Sequence, residues 1–248
     1  MYDFPVTLRP VTVDGMEVKR KKAIVRTDTK EPLAIVSDVY KIINHSEVID
    51  KAQKYATLLG AHTSDIFLTK SGSKVVAQFT YKDKTLATRT GDMVGLRVYV
   101  ENSYGDMESA KLRIGGLVLK CLNGMVMPKD MFLLNVTHKG DTAIQFPEPE
   151  DVLITFENSV HRINKLTNVA LPKSEYLIFG GKGIEAQLVP EKILGKIRNK
   201  EGTAWDLYND FTYYVTHDST RSTAIGKLNR LGRISNWFEE QFNETKIH

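Results

Sequence analysis

The spacing of apolar residues changes part-way along this chain, and this change limits the folds that the chain can adopt. Across residues 65–136, apolar and polar side chains alternate with a period of two, which is typical of half-buried strands. After residues 146–151, where Pro147 and Pro149 mark a boundary, apolar residues recur at spacings of three and four. We therefore predict an α+β protein, in which an antiparallel β-meander with a packed helix precedes a long helix and a helical C-terminal part.

The same periodicities, together with turn residues and helix caps, predict the individual elements. One helix begins after Asn44 or Ser46, either of which can cap it, and ends at Gly60. Turns are predicted at residues 82–84 and 123–124, and the glycines of residues 180–183 predict a loop. The other predictions are strands over residues 18–28, 33–37, 66–69, 75–81, 94–102, 110–122 and 131–136, and helices over residues 152–167, 190–199, 203–216 and 225–242.

The length of 248 residues allows one large domain or two smaller ones, at roughly 150 residues per domain. We expect an α+β part over residues 1–150 and a helical part over residues 151–248, as two domains or as one continuous domain.

Composition excludes several classes of protein. The chain has 42% hydrophobic and 26% charged residues, which is typical of globular proteins. It has no apolar run of about 18 residues that could span a bilayer, and its N-terminus lacks the pattern of a signal peptide. Cys121 is the single cysteine, and no two of the six histidines have a metal-binding spacing. We expect a cytoplasmic protein with no cofactor, metal or membrane partner, and keep a hydrolase or nuclease as a minor alternative.

Basic residues on the predicted strands are the most informative polar feature. Period-two alternation places Arg97 and Tyr99 on one face of the strand over residues 94–102, and Lys111 and Arg113 on one face of the next strand. Such a face could follow a phosphate backbone and stack a base. The alternative is that any half-exposed antiparallel sheet has a polar face of this kind.

A second basic cluster precedes the meander. The densest run of charge is Lys19-Arg20-Lys21-Lys22, and residues 9–30 contain seven Lys or Arg against three Asp or Glu. The run could bind nucleic acid electrostatically, or it could be an edge strand that lysines protect from aggregation.

Several separated motifs carry a family resemblance. The stretches GDMVGLRVYVENSYGD (residues 91–106) and GGLVLKCLNGM (residues 115–125) resemble the central signature of the phage- and plasmid-like family called domain of unknown function nine-three-two. Thr137-His138 and TAWDLYNDFTYYVTHD (residues 203–218) resemble two later motifs of that family. The resemblance implies a protein of a phage, prophage or plasmid in a bacterial cell, with no assigned activity.

A more remote similarity is to the single-strand annealing proteins of phage recombination, which combine a hairpin sheet, a long helix and a basic DNA groove. It implies a homo-oligomer that binds single-stranded DNA, without catalysis. Our leading hypothesis is therefore a nucleic-acid-binding protein of a mobile element that acts in recombination or replication. Phosphates would be bound by Lys19, Arg20, Lys21, Lys22, Arg97, Lys111, Arg113 and Lys120, and bases would stack on Tyr99 or Tyr104.

The alternative hypothesis is a phage module that binds a host defence or replication protein. It depends on the aromatic residues of the helix predicted over residues 203–216, which suit an interface but whose helical spacing also fits core packing. These residues are Trp205, Tyr208, Phe211, Tyr213 and Tyr214.

Overall fold

The computed structural model describes residues 2–61, 63–88, 91–105, 110–120, 122–134, 144–185, 188–197, 200–218 and 223–242. Several parts of the sequence motifs and predictions lie outside the described residues. They are Asp106, Cys121, the predicted strand residues 135–136, Thr137-His138 and the predicted helix residues 198–199.

The N-terminal part of the chain forms a three-stranded antiparallel sheet in the order β1-β2-β3. Its inner face buries Ile24 and Val36 in a cluster with Phe4 and Tyr104. The strands predicted over residues 18–28 and 33–37 are confirmed as β2 and β3, whereas β1 was not predicted. The three strands are β1 Val6–Val13, β2 Met16–Arg26 and β3 Pro32–Ser37.

A five-stranded sheet follows, and it confirms the predicted β-meander because each strand lies beside its neighbour in the chain. The turn predicted at residues 82–84 is wrong, since these residues continue a strand and the reversal comes at Thr88–Asp92. The turn predicted at residues 123–124 is also wrong, since the reversal precedes it at Leu122, which has φ of 55°. The strands are β4 Thr63–Leu68, β5 Lys74–Ala87, β6 Met93–Ser103, β7 Lys111–Val118 and β8 Asn123–Leu133.

Helix α1, His45–Leu58, has the position that its cap and periodicity predict. Asn44 has the N-cap position, although its side chain makes no capping hydrogen bond. Gly60 follows the helix with φ of 82°, a conformation that glycine adopts without strain. The apolar stripe of α1, including Val48, Ile49 and Ala52, is fully buried.

The C-terminal part is helical, as predicted, and begins with α2, Pro149–Leu166, which buries the stripe that starts at Val152. A two-stranded ladder of β9, Ala170–Leu171, and β10, Gly202–Thr203, brackets two of the helices. The remaining helices are α3 Lys173–Glu185, α4 Lys192–Ile197, α5 Ala204–Tyr213, which continues into a π-helical turn at Tyr214–Asp218, and α6 Ala224–Gln241.

The loop predicted at residues 180–183 is wrong, because these glycines lie inside α3. A Cβ atom on Gly180 would lie 2.4 Å from the Ile197 side chain, and one on Gly183 would lie 2.4 Å from the ring of Phe211. The glycines therefore allow α3 to pack closely on its neighbours, and their spacing of three residues reflects one helix face.

The chain divides into two compact units. The first comprises residues 1–79, 99–112 and 132–148, and the second comprises residues 80–98, 113–131 and 149–248. The strands of the meander are thus divided between the units, and residues 149–248, which contain the helical part, belong to the second unit. None of the helices that the structure describes is long and apolar enough to cross a membrane.

Candidate nucleic-acid interface

Strands β1 and β2 extend beyond β3 as a two-stranded arm. Strand β3 pairs with β2 only between Lys21 and Val25, whereas β1 and β2 remain paired as far as Val13 and Met16. The arm reverses at Asp14-Gly15, whose φ values of 50° and 81° are those that a two-residue type I′ turn requires. We call residues 10–21 the β1–β2 arm.

A large bulge in β2 displays the basic run. The register changes from Pro10 opposite Lys22 to Thr12 opposite Glu17, so residues 18–21 of β2 lie opposite the single residue Val11. Within the bulge Arg20 has φ of 60°, in the left-handed region that residues other than glycine seldom adopt. Bulges redirect side chains, and this one holds Lys19, Arg20 and Lys21 exposed to solvent.

The three bulge cations differ from the fourth member of the run. Lys22 is partly buried, and its ammonium lies 3.1 Å from the Glu17 carboxylate. In the part of the chain that the structure describes, no carboxylate forms an ion pair with Lys19, Arg20 or Lys21. These three side chains therefore present a concentrated positive charge to solvent. Strand β2 is central only between Lys21 and Val25, where it also pairs with β3, so the edge-strand alternative stays open for Lys19 and Arg20.

The predicted basic face on β6 and β7 is not an exposed surface. Tyr99 is 1% exposed, Tyr104 is 3% exposed and Lys111 is 6% exposed. Alternation fails to identify a polar face here because the opposite set of β6 side chains, such as Val98 and Val100, is equally buried. Stacking of a base on either tyrosine ring, and phosphate binding by Lys111, are incompatible with this burial.

The other predicted cations of the meander have mixed environments. Arg97 is partly buried, and its Nε donates to the Thr80 hydroxyl at 3.2 Å. Arg113 is also partly buried, whereas Lys120 is exposed after the end of β7. Of the cations predicted on the meander, only Lys120 is freely available to a phosphate.

Two residues of the quoted signature, Asn102 and Tyr104, surround a buried histidine that the sequence motifs did not include. The Asn102 amide nitrogen donates to His45 Nδ1 at 2.9 Å and to the Ile43 carbonyl at 3.1 Å. Because Nδ1 accepts, the proton is on Nε2, which donates to the Gly72 carbonyl at 3.0 Å. The ring of Tyr104 stacks on His45 with centroids 4.1 Å apart.

Burial determines the protonation of this cluster. It lowers the pKa of His45 to about 4, and only the hydrogen bond to Gly72 opposes that shift. Burial also raises the pKa of Tyr104 to about 12. Both side chains are neutral at pH 7, so the cluster is a structural connection between α1 and the end of β6.

Trp205 and Asp92, which belong to two different sequence motifs, also have a structural role. The Trp205 indole donates to the Asp92 carboxylate at 3.2 Å, which joins the Gly-Asp motif before β6 to α5. Four of the five aromatic residues proposed for a protein interface, all except Tyr213, are buried on α5 and the turn after it. Core packing therefore accounts for these four, and only Tyr213, at 51% exposure, is available to a partner.

A cavity of about 290 Å³ lies among β8, α2 and α6 in the second unit. The Lys129 ammonium lies 2.7 Å from Glu239, and the Arg162 guanidinium pairs with both Asp130 and Glu239. These ion pairs connect the three elements, and Lys165 also lines the cavity. The apolar part of its lining comprises Met127, Ile163, Leu166, Phe238 and Phe242.

The described residues contain no group of three or more His, Cys, Asp or Glu side chains that could hold a metal ion. No model of a known protein family matches the chain, and no match was found among curated proteins or solved structures. The family resemblance of the sequence motifs therefore stays a prediction.

Proposed function

We propose that this protein binds nucleic acid through the β1–β2 arm, with single-stranded DNA as its expected substrate in recombination or replication. The observation that carries the proposal is the bulge in β2, which holds Lys19, Arg20 and Lys21 in solvent without a carboxylate partner among the described residues. Cations that contact phosphates release condensed counterions from the nucleic acid, and this release is the main source of affinity that does not depend on sequence.

The geometry of the bulge favours a polyanion over an isolated charge. The three consecutive cations of the bulge point in different directions, because Arg20 departs from the extended conformation of a strand. A flexible phosphate chain, whose charges repeat along its length, can contact all three, whereas a single carboxylate cannot. Tyr99 and Tyr104 are buried and cannot stack on bases. We therefore expect the arm to bind mainly through the backbone of the nucleic acid.

A charge-reversal experiment tests this proposal. The variant Lys19→Glu with Lys21→Glu is titrated against a labelled oligo-dT strand by fluorescence anisotropy at low salt. We expect its affinity to fall by at least about tenfold, because each reversal replaces an attraction by a repulsion.

The matched control is Lys51→Glu with Lys54→Glu, which changes the net charge by the same amount on the exposed surface of α1. Equal losses of affinity in the two variants would show that only net charge matters and would contradict binding at the arm. A labelled duplex of the same length, titrated in parallel, determines whether single strands are preferred.

A further inference from the structure

The tip of the β1–β2 arm exposes apolar side chains that the fold does not use. Val13 is 58% exposed and Met16 is 71% exposed, on either side of the Asp14-Gly15 turn. They face each other in the strand register, and directly opposite residues have Cβ atoms about 5 Å apart. The two side chains therefore form one apolar edge at the end of a narrow ribbon.

The apolar edge lies close enough to the bulge cations for both to contact the same nucleic acid. In the strand register Met16 to Lys22 spans the same length as Val13 to Pro10, which is three residues or about 10 Å, and the bulge cations lie within that length. The major groove of DNA is about 8.5 Å deep and admits a two-stranded ribbon. When the bulge cations contact phosphates, the tip therefore reaches the bases, and in a single strand no groove wall lies between them.

We propose that the tip of the β1–β2 arm inserts Val13 and Met16 between stacked bases of the nucleic acid that the bulge cations bind. The inference rests on the proposed function and adds a second activity, the local unstacking of bases. Apolar wedges, methionine among them, separate base steps in other nucleic-acid-binding proteins, and the unstacking requires a few kcal/mol per step.

The charges beside the tip favour bases over the phosphates of an anionic membrane. Asp14 lies exposed at the apex of the turn, where its carboxylate would repel lipid headgroup phosphates. Against a base edge the same carboxylate can accept a hydrogen bond from a cytosine amino group. The other carboxylate near the tip, Glu17, forms an ion pair with Lys22. Asp14 is therefore the anion that the tip presents.

The experiment uses the full chain and a single-stranded oligonucleotide that contains 2-aminopurine between adenines, whose fluorescence rises when the base unstacks. The wild-type protein should raise the emission on binding. Val13→Thr with Met16→Gln, which preserves side-chain size and strand propensity, should bind with a Kd within about tenfold and abolish the rise, because lost apolar burial and avoided unstacking offset each other.

The control is Ile35→Thr with Val39→Thr, which removes two apolar side chains that are each 60% exposed elsewhere in the first unit. It should keep the full rise in emission, and an equal loss in both variants would overturn the inference. Wild-type binding without any rise would also overturn it while leaving the proposed function intact.

Two further outcomes separate the remaining explanations. Absence of oligonucleotide binding at low salt would overturn the proposed function and the inference together. Vesicles containing phosphatidylserine provide the last comparison. Binding to them that depends on Val13 and Met16, with no change in 2-aminopurine emission, would assign the tip to membranes and refute base insertion.

Discussion

Protonation of His45 should destabilise the first unit strongly as the pH falls. The neutral ring accepts from Asn102 at Nδ1 and donates to Gly72 from Nε2, so a second proton would point at the Asn102 amide hydrogens. The pKa is about 4 in the folded protein, against 6.5 when the side chain is exposed. Because the folded-state pKa is lowered, the stability is fully present above pH 6.5 and is lost progressively down to about pH 4.

The size of the effect follows from linkage between proton binding and folding. Each pKa unit corresponds to about 1.4 kcal/mol. The difference between the folded and exposed pKa values of His45 therefore limits the loss of unfolding free energy to about 3 kcal/mol. At pH 5 the expected loss is about 2 kcal/mol relative to pH 7.5.

Urea unfolding at pH 7.5, 6 and 5, for wild type and His45→Gln, measures this loss. The glutamine variant should be less stable at pH 7.5, because it loses the stacking on Tyr104, but it should lack the contribution of His45 to the pH dependence. Carboxylates that titrate in the same range contribute equally to both proteins and cancel in the difference. Parallel pH profiles for the two proteins would refute the assignment of a buried neutral histidine.

Two further predictions concern the helices. Gly183→Ala should lower the free energy of unfolding by about 1–3 kcal/mol, because its Cβ would meet the buried Phe211 ring, whereas Gly181→Ala, with open space, should be neutral or stabilising. Denaturant unfolding of both variants checks this, and equal effects would contradict the packing argument. Thr203→Ala should cost about 1 kcal/mol in the same assay, because it removes the capping box with Asp206 at the start of α5, and an unchanged midpoint would show that the cap contributes nothing.

Helical periodicity predicted α1 and α2 well because their signals are local. Each helix has a stripe of apolar residues at spacings of three and four, and α1 also has Asn44 at its N-cap position and Gly60 after its last turn. The glycines of α3 predicted a loop instead of a helix. Glycine is typical of loops, and it occurs inside a helix where a neighbouring element packs too closely for a side chain. The neighbour, Ile197 or Phe211, is distant in sequence, so this requirement is not visible locally.

The candidate interface was predictable only in part. The charge of Lys19, Arg20 and Lys21 was evident, and the Asp-Gly pair at residues 14–15 is a hairpin signal that could have indicated the arm. The length of the bulge depends on the pairing of β1 with β2, which no local pattern specifies.

Burial on both faces of the meander was not predictable from alternation. Alternating polar side chains on a strand predict that one of its faces is exposed to solvent. In this protein, however, Tyr99 lies in the core, and Asn102 is hydrogen-bonded to His45, 57 residues earlier in the chain. Such polar side chains look like surface residues until their distant partners are known. His45 is not predictable as a buried residue for the same reason, because its partners Gly72 and Asn102 are distant in sequence.

The salt dependence of binding shows how many phosphates the β1–β2 arm contacts. The slope of log K against log salt concentration is measured with oligo-dT for wild type and for the variant Lys19→Gln, Arg20→Gln and Lys21→Gln. Each phosphate contact on a single strand contributes about 0.7 to the slope, so losing three contacts should make it shallower by about 2. An unchanged slope, with or without a change in affinity, would contradict phosphate binding by the β1–β2 arm.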